Sequence, residues 1–195
     1  GLIGLSANLA LYGDMSTRMM RITSELGPTQ EIYSIDESFI GLHGVRDDLG
    51  MRAWTVRNRI LKWIGIPCGV GIGPTKTLAK LANHVAKTAE RKPGSYPSEF
   101  ATVCNLALLP LASREALMAA TEVGDVWGVG PRISKQLLDA GVLTALDLAR
   151  MNPALVRERW SVVLERTVRE LQGESCLPIE DVPADSPRTS RRCSS

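Results

Sequence analysis

The octapeptide YSIDESFI, residues 33–40, decides the fold because it places two adjacent carboxylates inside a segment that otherwise favours a β-strand. The two acids, Asp36 and Glu37, have aromatic and β-branched neighbours on both sides. Unpaired charges are costly beside a packed core. The pattern therefore predicts two strands that meet at a tight turn, with both acids at the turn and a positive partner close to them.

The segments on either side of this turn alternate between helical and strand patterns. Four elements are predicted in chain order: a helix from Tyr12 to Leu26, a helix from Ala53 to Trp63, a buried strand CGVGI at 68–72, and a helix opened by Gly73-Pro74. After a loop at 91–97, helical patterns continue with short interruptions to about Gly173. We therefore expect an α+β fold, with an α+β first part and an all-helical second part.

The composition of the 195 residues is that of a globular protein, with 44% apolar and 23% charged residues. No run of about 20 apolar residues occurs, so no membrane span is predicted. The net charge of +2 is too small to indicate a nucleic-acid partner by itself. Four cysteines without a CxxC pair, and only two histidines, disfavour a zinc site and favour reduced thiols in the cytoplasm.

The acidic pair is a candidate metal site. At a hairpin turn, the carboxylates of Asp36 and Glu37 can reach one point, where their oxygens would bind Mg²⁺ at about 2 Å. Water and substrate phosphates complete such a site, and two such ions support phosphoryl transfer. The alternative is that both acids are solvated turn residues without a ligand.

A basic stripe follows the predicted strand at 68–72. Its members Lys76, Lys80, His84 and Lys87 are spaced by four, four and three residues, which places them on one face of a helix. The preceding GVGIGPTK is not a Walker A loop, but its N–H groups and the helix N-terminus can receive phosphate. The alternative is the solvated face of an amphipathic helix.

Residues 123–141, VGDVWGVGPRISKQLLDAG, have the pattern of a helix–hairpin–helix. Two glycines make the turn, Pro131 opens the next helix, and this helix is predicted to bury Leu137 and Leu138. N–H groups left uncovered at a positive helix end suit a DNA phosphate. The predicted DNA contacts here are Gly128, Val129, Gly130, Arg132 and Lys135. The alternative is a plain glycine turn between packed helices.

Together these motifs resemble the Y-family translesion DNA polymerases, in particular their UmuC-like members. Five segments carry the resemblance: LYGDMSTRMM (11–20), EIYSIDESF (31–39), GVGIGPTKTLAKLANHVAK (69–87), DVWGVGPRISKQL (125–137) and VVLERTVRELQGESCL (162–177). The resemblance implies that Asp36 bridges two Mg²⁺ ions and that Glu37 holds the ion that activates the primer 3′-hydroxyl. It also implies that Lys87 contacts the incoming triphosphate and that Lys76 and Lys80 lie near DNA and phosphates.

The resemblance further implies a partial polymerase palm, a βαβ-type sheet with helices, at 1–100 and a helical thumb with the hairpin at 101–178. Composition predicts a disordered tail at 179–195. The family's other metal aspartate, in a D-x-N-A-F/Y stretch, and its fingers are not found in this sequence. The two-metal site is therefore expected to be incomplete, and the chain to have little or no polymerase activity alone.

The partners implied by the resemblance are primer–template DNA and a dNTP, together with a UmuD′-type dimer, a sliding clamp and a RecA-type filament in SOS mutagenesis and DNA repair. No membrane is implied. Two other functions stay open at this point. One is a non-enzymatic helix–hairpin–helix module that binds the DNA backbone. The other is a nucleotide cyclase with a palm-like core, which the hairpin disfavours.

Overall fold

The computed structural model describes residues 7–180 and combines helices with short strands. Within this part, the chain forms two compact units. The first unit holds residues 7–45 with 179–180, and the second holds residues 46–178. Because the acidic turn belongs to the first unit and the basic stripe to the second, each is described by itself.

The first unit consists of a helix and a two-stranded antiparallel sheet: α1 (Leu9–Thr23), β1 (Thr29–Ile32) and β2 (Ser38–Gly41). A 3₁₀ turn extends α1 to Leu26, so the helix ends before Gly27, as the sequence predicts. Ile32 lies opposite Ser38 in the sheet, which leaves residues 33–37 as the connection. The prediction of two strands that meet at a tight turn is confirmed.

The second unit holds the remaining elements: α2 (Leu49–Ile64), β3 (Val70–Ile72), α3 (Lys76–Arg91), β4 (Val103–Asn105), α4 (Leu111–Ala119), α5 (Pro131–Asp139), α6 (Ala145–Ala149), α7 (Pro153–Arg159) and α8 (Val162–Leu171). Gly65 ends α2 with φ +77°, a left-handed conformation that glycine adopts without strain. Thr75 is the N-cap of α3, so Pro74 precedes this helix instead of opening it.

The strand β4 is the element that the sequence did not predict. It pairs in parallel with β3, with Val70 opposite Val103 and Ile72 opposite Asn105. The prediction of helices alone after residue 97 is wrong here. A three-residue strand with Val103 and Cys104 both buried has no alternating pattern to detect, because its apolar residues are consecutive.

Helix α3 packs across β3 so closely that Gly71 has no space for a side chain. A Cβ at this position would overlap the carbonyl oxygen of Ala79 and the backbone nitrogen of Asn83. This contact fixes the basic stripe relative to the sheet. A single continuous core then joins α3 to α4, α5, α6 and α8. In α5 Leu137 is fully buried as predicted, but Leu138 is 48% exposed, so the prediction for Leu138 is wrong.

The α+β fold class is confirmed. The division into a palm at 1–100 and a thumb at 101–178 stays a prediction. Most of the predicted disordered tail at 179–195 lies outside the described residues, since these end at residue 180. Over residues 7–180, no helix is both long enough and apolar enough to span a membrane.

Candidate functional site

The turn that carries the acidic pair is fixed by its own backbone. The N–H groups of Tyr33 and Ser34 both donate to the carbonyl oxygen of Glu37, each at 3.0 Å. The Ser34 hydroxyl donates to Asp36 Oδ1 at 2.7 Å. Tyr33 also contacts the Phe39 ring edge-on, with the ring centroids 5.7 Å apart. These contacts hold Asp36 in an exposed position and Glu37 in a half-buried one.

The donor set of this turn fits part of a magnesium site. Both side chains offer carboxylate oxygens, the ligand type that Mg²⁺ takes, and Mg²⁺ is commonly held by one or two carboxylates plus phosphates and water. From residue 7 to residue 180, no group of three or more His, Cys, Asp or Glu side chains is arranged to hold a metal. Asp36 and Glu37 by themselves offer only part of the ligand set that a two-metal site needs.

The basic stripe lies on α3 as predicted. Leu78, Leu81 and Val85 are buried on one face of the helix, and all four stripe residues are half-buried. The sequence did not predict the acid beside the stripe: His84 Nε2 lies 3.8 Å from Asp125 Oδ2. Asp125 lies three residues before Gly128, so this contact joins α3 to the segment that leads into the glycine turn.

The N-terminus of α3 is closed to phosphate by groups of the chain itself. Thr77 N–H donates to Glu170 Oε2 at 2.8 Å, and Leu78 N–H donates to Thr75 Oγ1 at 3.2 Å. These are the donors that a phosphate at a helix N-terminus would need. The prediction that this helix end receives phosphate is therefore wrong, because a carboxylate already occupies it.

Lys87 lies along the start of β3. A Cβ added to Gly69 would be 3.0 Å from Lys87 Cγ. Burial raises the pKa of the neighbouring Cys68 thiol, and the positive charges of Arg57 and Lys87 partly oppose this rise. Lys76 and Lys87 are eleven residues apart, or about 16 Å along α3, so they cannot serve one phosphate group. The contact of Lys87 with an incoming triphosphate stays a prediction.

The hairpin has the conformation that its glycines predict. Gly128 has φ +90°, which disfavours any other residue, and Gly130 is the N-cap of α5. Pro131 lies in the first turn of α5, and among residues 7–180 no side chain caps this helix. Its first-turn N–H groups, such as that of Arg132, are therefore open to an acceptor from outside.

The predicted DNA contacts divide by exposure. Gly128, Gly130, Arg132 and Lys135 are exposed, whereas Val129 is only 8% exposed and anchors the turn in the core. The segment before the hairpin is a single 3₁₀ turn, Val123–Asp125, instead of a full helix. Exposed N–H groups on a rigid turn, beside two cationic side chains, can hold a phosphate without reading base sequence.

Sequence reasoning missed the contribution of α8, to which it assigned no chemistry. Glu170 in this helix is fully buried and contacts the start of α3, and Thr167 is 5% exposed and lies against the glycine turn. No local signal identifies them, because a glutamate in an amphipathic helix ordinarily lies at the surface. Only the contact with a segment 93 residues earlier distinguishes Glu170.

Comparison with known proteins finds relatives that match the segment with the acidic turn and the segment with the glycine turn together. Residues 1–84 match the family model described as impB/mucB/samB. Over 183 residues, 93% of the chain, it is 46% identical to protein UmuC of Salmonella typhimurium. The chain is thus similar to members of the impB/mucB/samB family. It is also 44% identical to protein SamB of Salmonella typhimurium over 186 residues. It spans about 41% of the length of both relatives.

More distant matches are polymerases. The chain is 32% identical over 156 residues to DNA polymerase IV of Moorella thermoacetica, of which it spans 35%. The fold matches DinB of Sulfolobus solfataricus with a TM-score of 0.69 over 92% of this chain and 50% of that protein, at 18% identity. An insertion ternary complex of Dbh DNA polymerase matches with the same TM-score and identity, over 91% of this chain and 49% of that protein. These structures show a shared polymerase fold.

Proposed function

We propose that this chain is the part of a UmuC-like, error-prone translesion DNA polymerase that supplies two metal carboxylates and binds the DNA backbone. The match to UmuC carries this proposal, because it extends over 93% of the chain. In this role the protein acts on primer–template DNA and a dNTP, in SOS mutagenesis and DNA repair in the cytoplasm. The UmuD′-type dimer, sliding clamp and RecA-type filament are its proposed partners. The similarity to UmuC and to DNA polymerase IV also favours a polymerase function over a nucleotide cyclase function.

At the acidic turn, Asp36 and Glu37 would hold Mg²⁺. When bound, the metal supplies positive charge to the reacting phosphate and lowers the pKa of a bound hydroxyl. Ser34 holds one oxygen of Asp36 by a hydrogen bond of 2.7 Å, which orients this carboxylate. Lys87 would contact the incoming triphosphate, and Lys76 and Lys80 would lie near DNA phosphates.

The chain alone should have little or no polymerase activity, because two-metal transfer needs both ions in fixed positions and this turn provides only two carboxylates. A primer-extension assay with Mg²⁺ and all four dNTPs tests this. We expect no extension products above the background of an Asp36→Ala chain. Robust extension that Asp36→Ala abolishes would show that the turn is sufficient for activity and would contradict the proposed incompleteness.

Metal binding is tested directly by isothermal titration with Mn²⁺ as the probe. The chain should bind weakly, and the Asp36→Asn variant should lose this heat signal. Asp139→Asn is the control, because Asp139 is an exposed acid at the end of α5 and belongs to the second unit. Equal Mn²⁺ binding by all three proteins would show that Asp36 is not a metal ligand.

Backbone binding by the hairpin is tested with Gly130→Ala. A Cβ at Gly130 meets no atom within 4 Å, so the fold tolerates the substitution while the methyl group stands beside the uncapped α5. Fluorescence anisotropy with a primer–template duplex should show at least tenfold weaker binding. Gly13→Ala, which is also unobstructed, is the control and should bind normally. Unchanged binding by Gly130→Ala would contradict a role for the hairpin.

The second candidate is a non-enzymatic module that binds the DNA backbone. One observation favours it: the glycine turn and the open start of α5 are both present, whereas within residues 7–180 the acidic turn is not joined by a third metal-binding side chain. If Asp36→Asn leaves Mn²⁺ and DNA binding unchanged while Gly130→Ala weakens DNA binding, the module is the better description.

A further inference from the structure

Glu170 joins three segments of the second unit through one buried carboxylate. It is 0% exposed, and its oxygens accept N–H groups from Thr77 at 2.8 Å, Cys176 at 2.9 Å and Leu177 at 3.0 Å. Its own carbonyl oxygen accepts the Thr75 hydroxyl at 2.9 Å. Hydrogen bonds to a carboxylate are about twice as strong as neutral ones. The first turn of α3 is therefore tied to the last turn of α8.

One turn earlier, α8 touches the hairpin. A Cβ at Gly128 would lie 3.1 Å from Thr167 Oγ1, so the glycine turn rests against this threonine. Thr167 and Glu170 are three residues apart, or about 4.5 Å along the helix. Because residues three apart lie on one face of a helix, the same face of α8 contacts both the hairpin and the start of α3.

A second connection joins α3 to the hairpin segment. His84 Nε2 lies 3.8 Å from Asp125 Oδ2, and the His84 ring also packs edge-on against Tyr96, with centroids 6.2 Å apart. Thr77 and His84 are seven residues apart, which is about 10 Å along α3. Two anchor points at this separation fix both the position and the direction of the basic stripe relative to the hairpin.

We propose that Glu170 is a positioning residue that sets the spacing between the basic stripe and the hairpin, so that both contact the same DNA backbone. This inference rests on the proposed backbone binding. Lys76 directly precedes Thr77, whose N–H Glu170 holds, so the N-terminal end of the stripe follows the carboxylate. If this end of α3 shifts, the Lys76 and Lys80 ammonium groups move away from the phosphates of the DNA strand that the hairpin binds.

The test is Glu170→Gln in the full chain, measured as duplex affinity against salt concentration. Glutamine keeps the shape but has one acceptor oxygen, so it cannot serve all three N–H donors. Loss of two phosphate contacts should make the negative slope of log K against log[salt] shallower by about 1.8, at about 0.9 per contact. Affinity should fall at least tenfold, although the substitution removes a negative charge.

Glu174→Gln is the matched control. Glu174 follows α8, its carboxylate is exposed, and it binds Arg169 at 3.0 Å. The charge change is the same, but Glu174 holds no part of α3. Its duplex affinity should equal or exceed that of the unsubstituted chain, with the same salt slope. A loss of affinity equal to that of Glu170→Gln would overturn the proposal.

A double-mutant cycle separates positioning from a merely structural role. Lys76→Ala should make the negative salt slope shallower by about 0.9 in the unsubstituted chain and leave it unchanged in the Glu170→Gln background. Both proteins are first shown to be folded by near-UV circular dichroism. An equal effect of Lys76→Ala in both backgrounds, or a folded Glu170→Gln chain with an unchanged slope, overturns the positioning role.

If Glu170→Gln does not fold, Lys76→Ala and Gly130→Ala decide in the chain that retains Glu170. Weaker duplex binding by each variant supports a shared backbone, and unchanged binding by Lys76→Ala overturns it. The two proposals fail differently. Duplex binding that Gly130→Ala weakens but Glu170→Gln does not leaves the proposed function intact and removes the positioning role. Absence of salt-dependent duplex binding by the unsubstituted chain overturns both.

Discussion

Replacement of Gly71 by alanine tests the close approach of β3 to α3, on which the position of the basic stripe depends. The added Cβ would overlap backbone atoms of Ala79, Ala82 and Asn83. Backbone atoms of a helix cannot move singly, so α3 must shift as a body away from the strand. Overpacking of this kind costs about 1–3 kcal/mol. The lower chain entropy of alanine in the unfolded state offsets about 0.4–1 kcal/mol.

The midpoints of these two ranges give a net expectation that Gly71→Ala lowers the free energy of unfolding by about 1.3 kcal/mol. The measurement is urea unfolding followed by circular dichroism at 222 nm. The midpoint should fall while the m-value stays constant, since the surface exposed on unfolding hardly changes. Duplex affinity should fall as well, because α3 carries the stripe.

Gly69→Ala is the matched control on the same segment. Its Cβ would meet Asn83 Oδ1 at 2.8 Å and Lys87 Cγ at 3.0 Å, which are side-chain atoms that can rotate away. We expect a loss of less than about 1 kcal/mol, below the range for rigid overpacking. A Gly71→Ala protein within about 0.5 kcal/mol of the unsubstituted chain, or a Gly69→Ala protein that is less stable than Gly71→Ala, would refute the steric reasoning.

Three further predictions concern other parts of the chain. Hydrogen bonds with the Thr144 side chain and backbone lower the pKa of Asp147, so its contribution to stability is present above about pH 4 and is lost as pH falls through the lowered native pKa. When urea midpoints are measured from pH 7 to pH 2.5, Asp147→Asn should therefore lose less stability in acid than the unsubstituted chain. Equal losses would contradict this. Burial raises the pKa of the Cys104 thiol to about 12, so iodoacetamide at pH 8 should alkylate Cys104 much more slowly than half-buried Cys176. Peptide mass spectrometry measures both rates, and equal rates would contradict the burial of Cys104. Gly13→Ala, in the unobstructed middle of α1, should raise stability by about 0.5–1 kcal/mol in thermal unfolding, and a lower midpoint would indicate a contact at this position.

The sequence predicted the features that depend on near neighbours. Gly27 and Gly65 mark the ends of helices, and the strand residues around Asp36 predict the hairpin, because backbone conformation responds to the residues within a few positions. The glycine turn at 128–130 was located for the same reason. The buried faces of α3 and α5 followed from helical spacing, except that Leu138 lies beyond the edge of the core.

The tertiary structure decided which distant segments meet. The parallel pairing of β4 with β3 and the contact of His84 with Asp125 join segments that are more than 30 residues apart. Nothing in the sequence around Glu170 indicates that its carboxylate occupies the helix end at Thr77, where phosphate was predicted.

Local sequence therefore determined the turns, the helix ends and the chemical types of the candidate ligands: carboxylates at 36–37, cations along α3 and open N–H groups at 128–130. The tertiary structure decided which of the helix ends are open and which are already occupied. The physical reason is that a backbone N–H group donates to the first suitable oxygen that packing brings within about 3 Å, and packing depends on the whole chain.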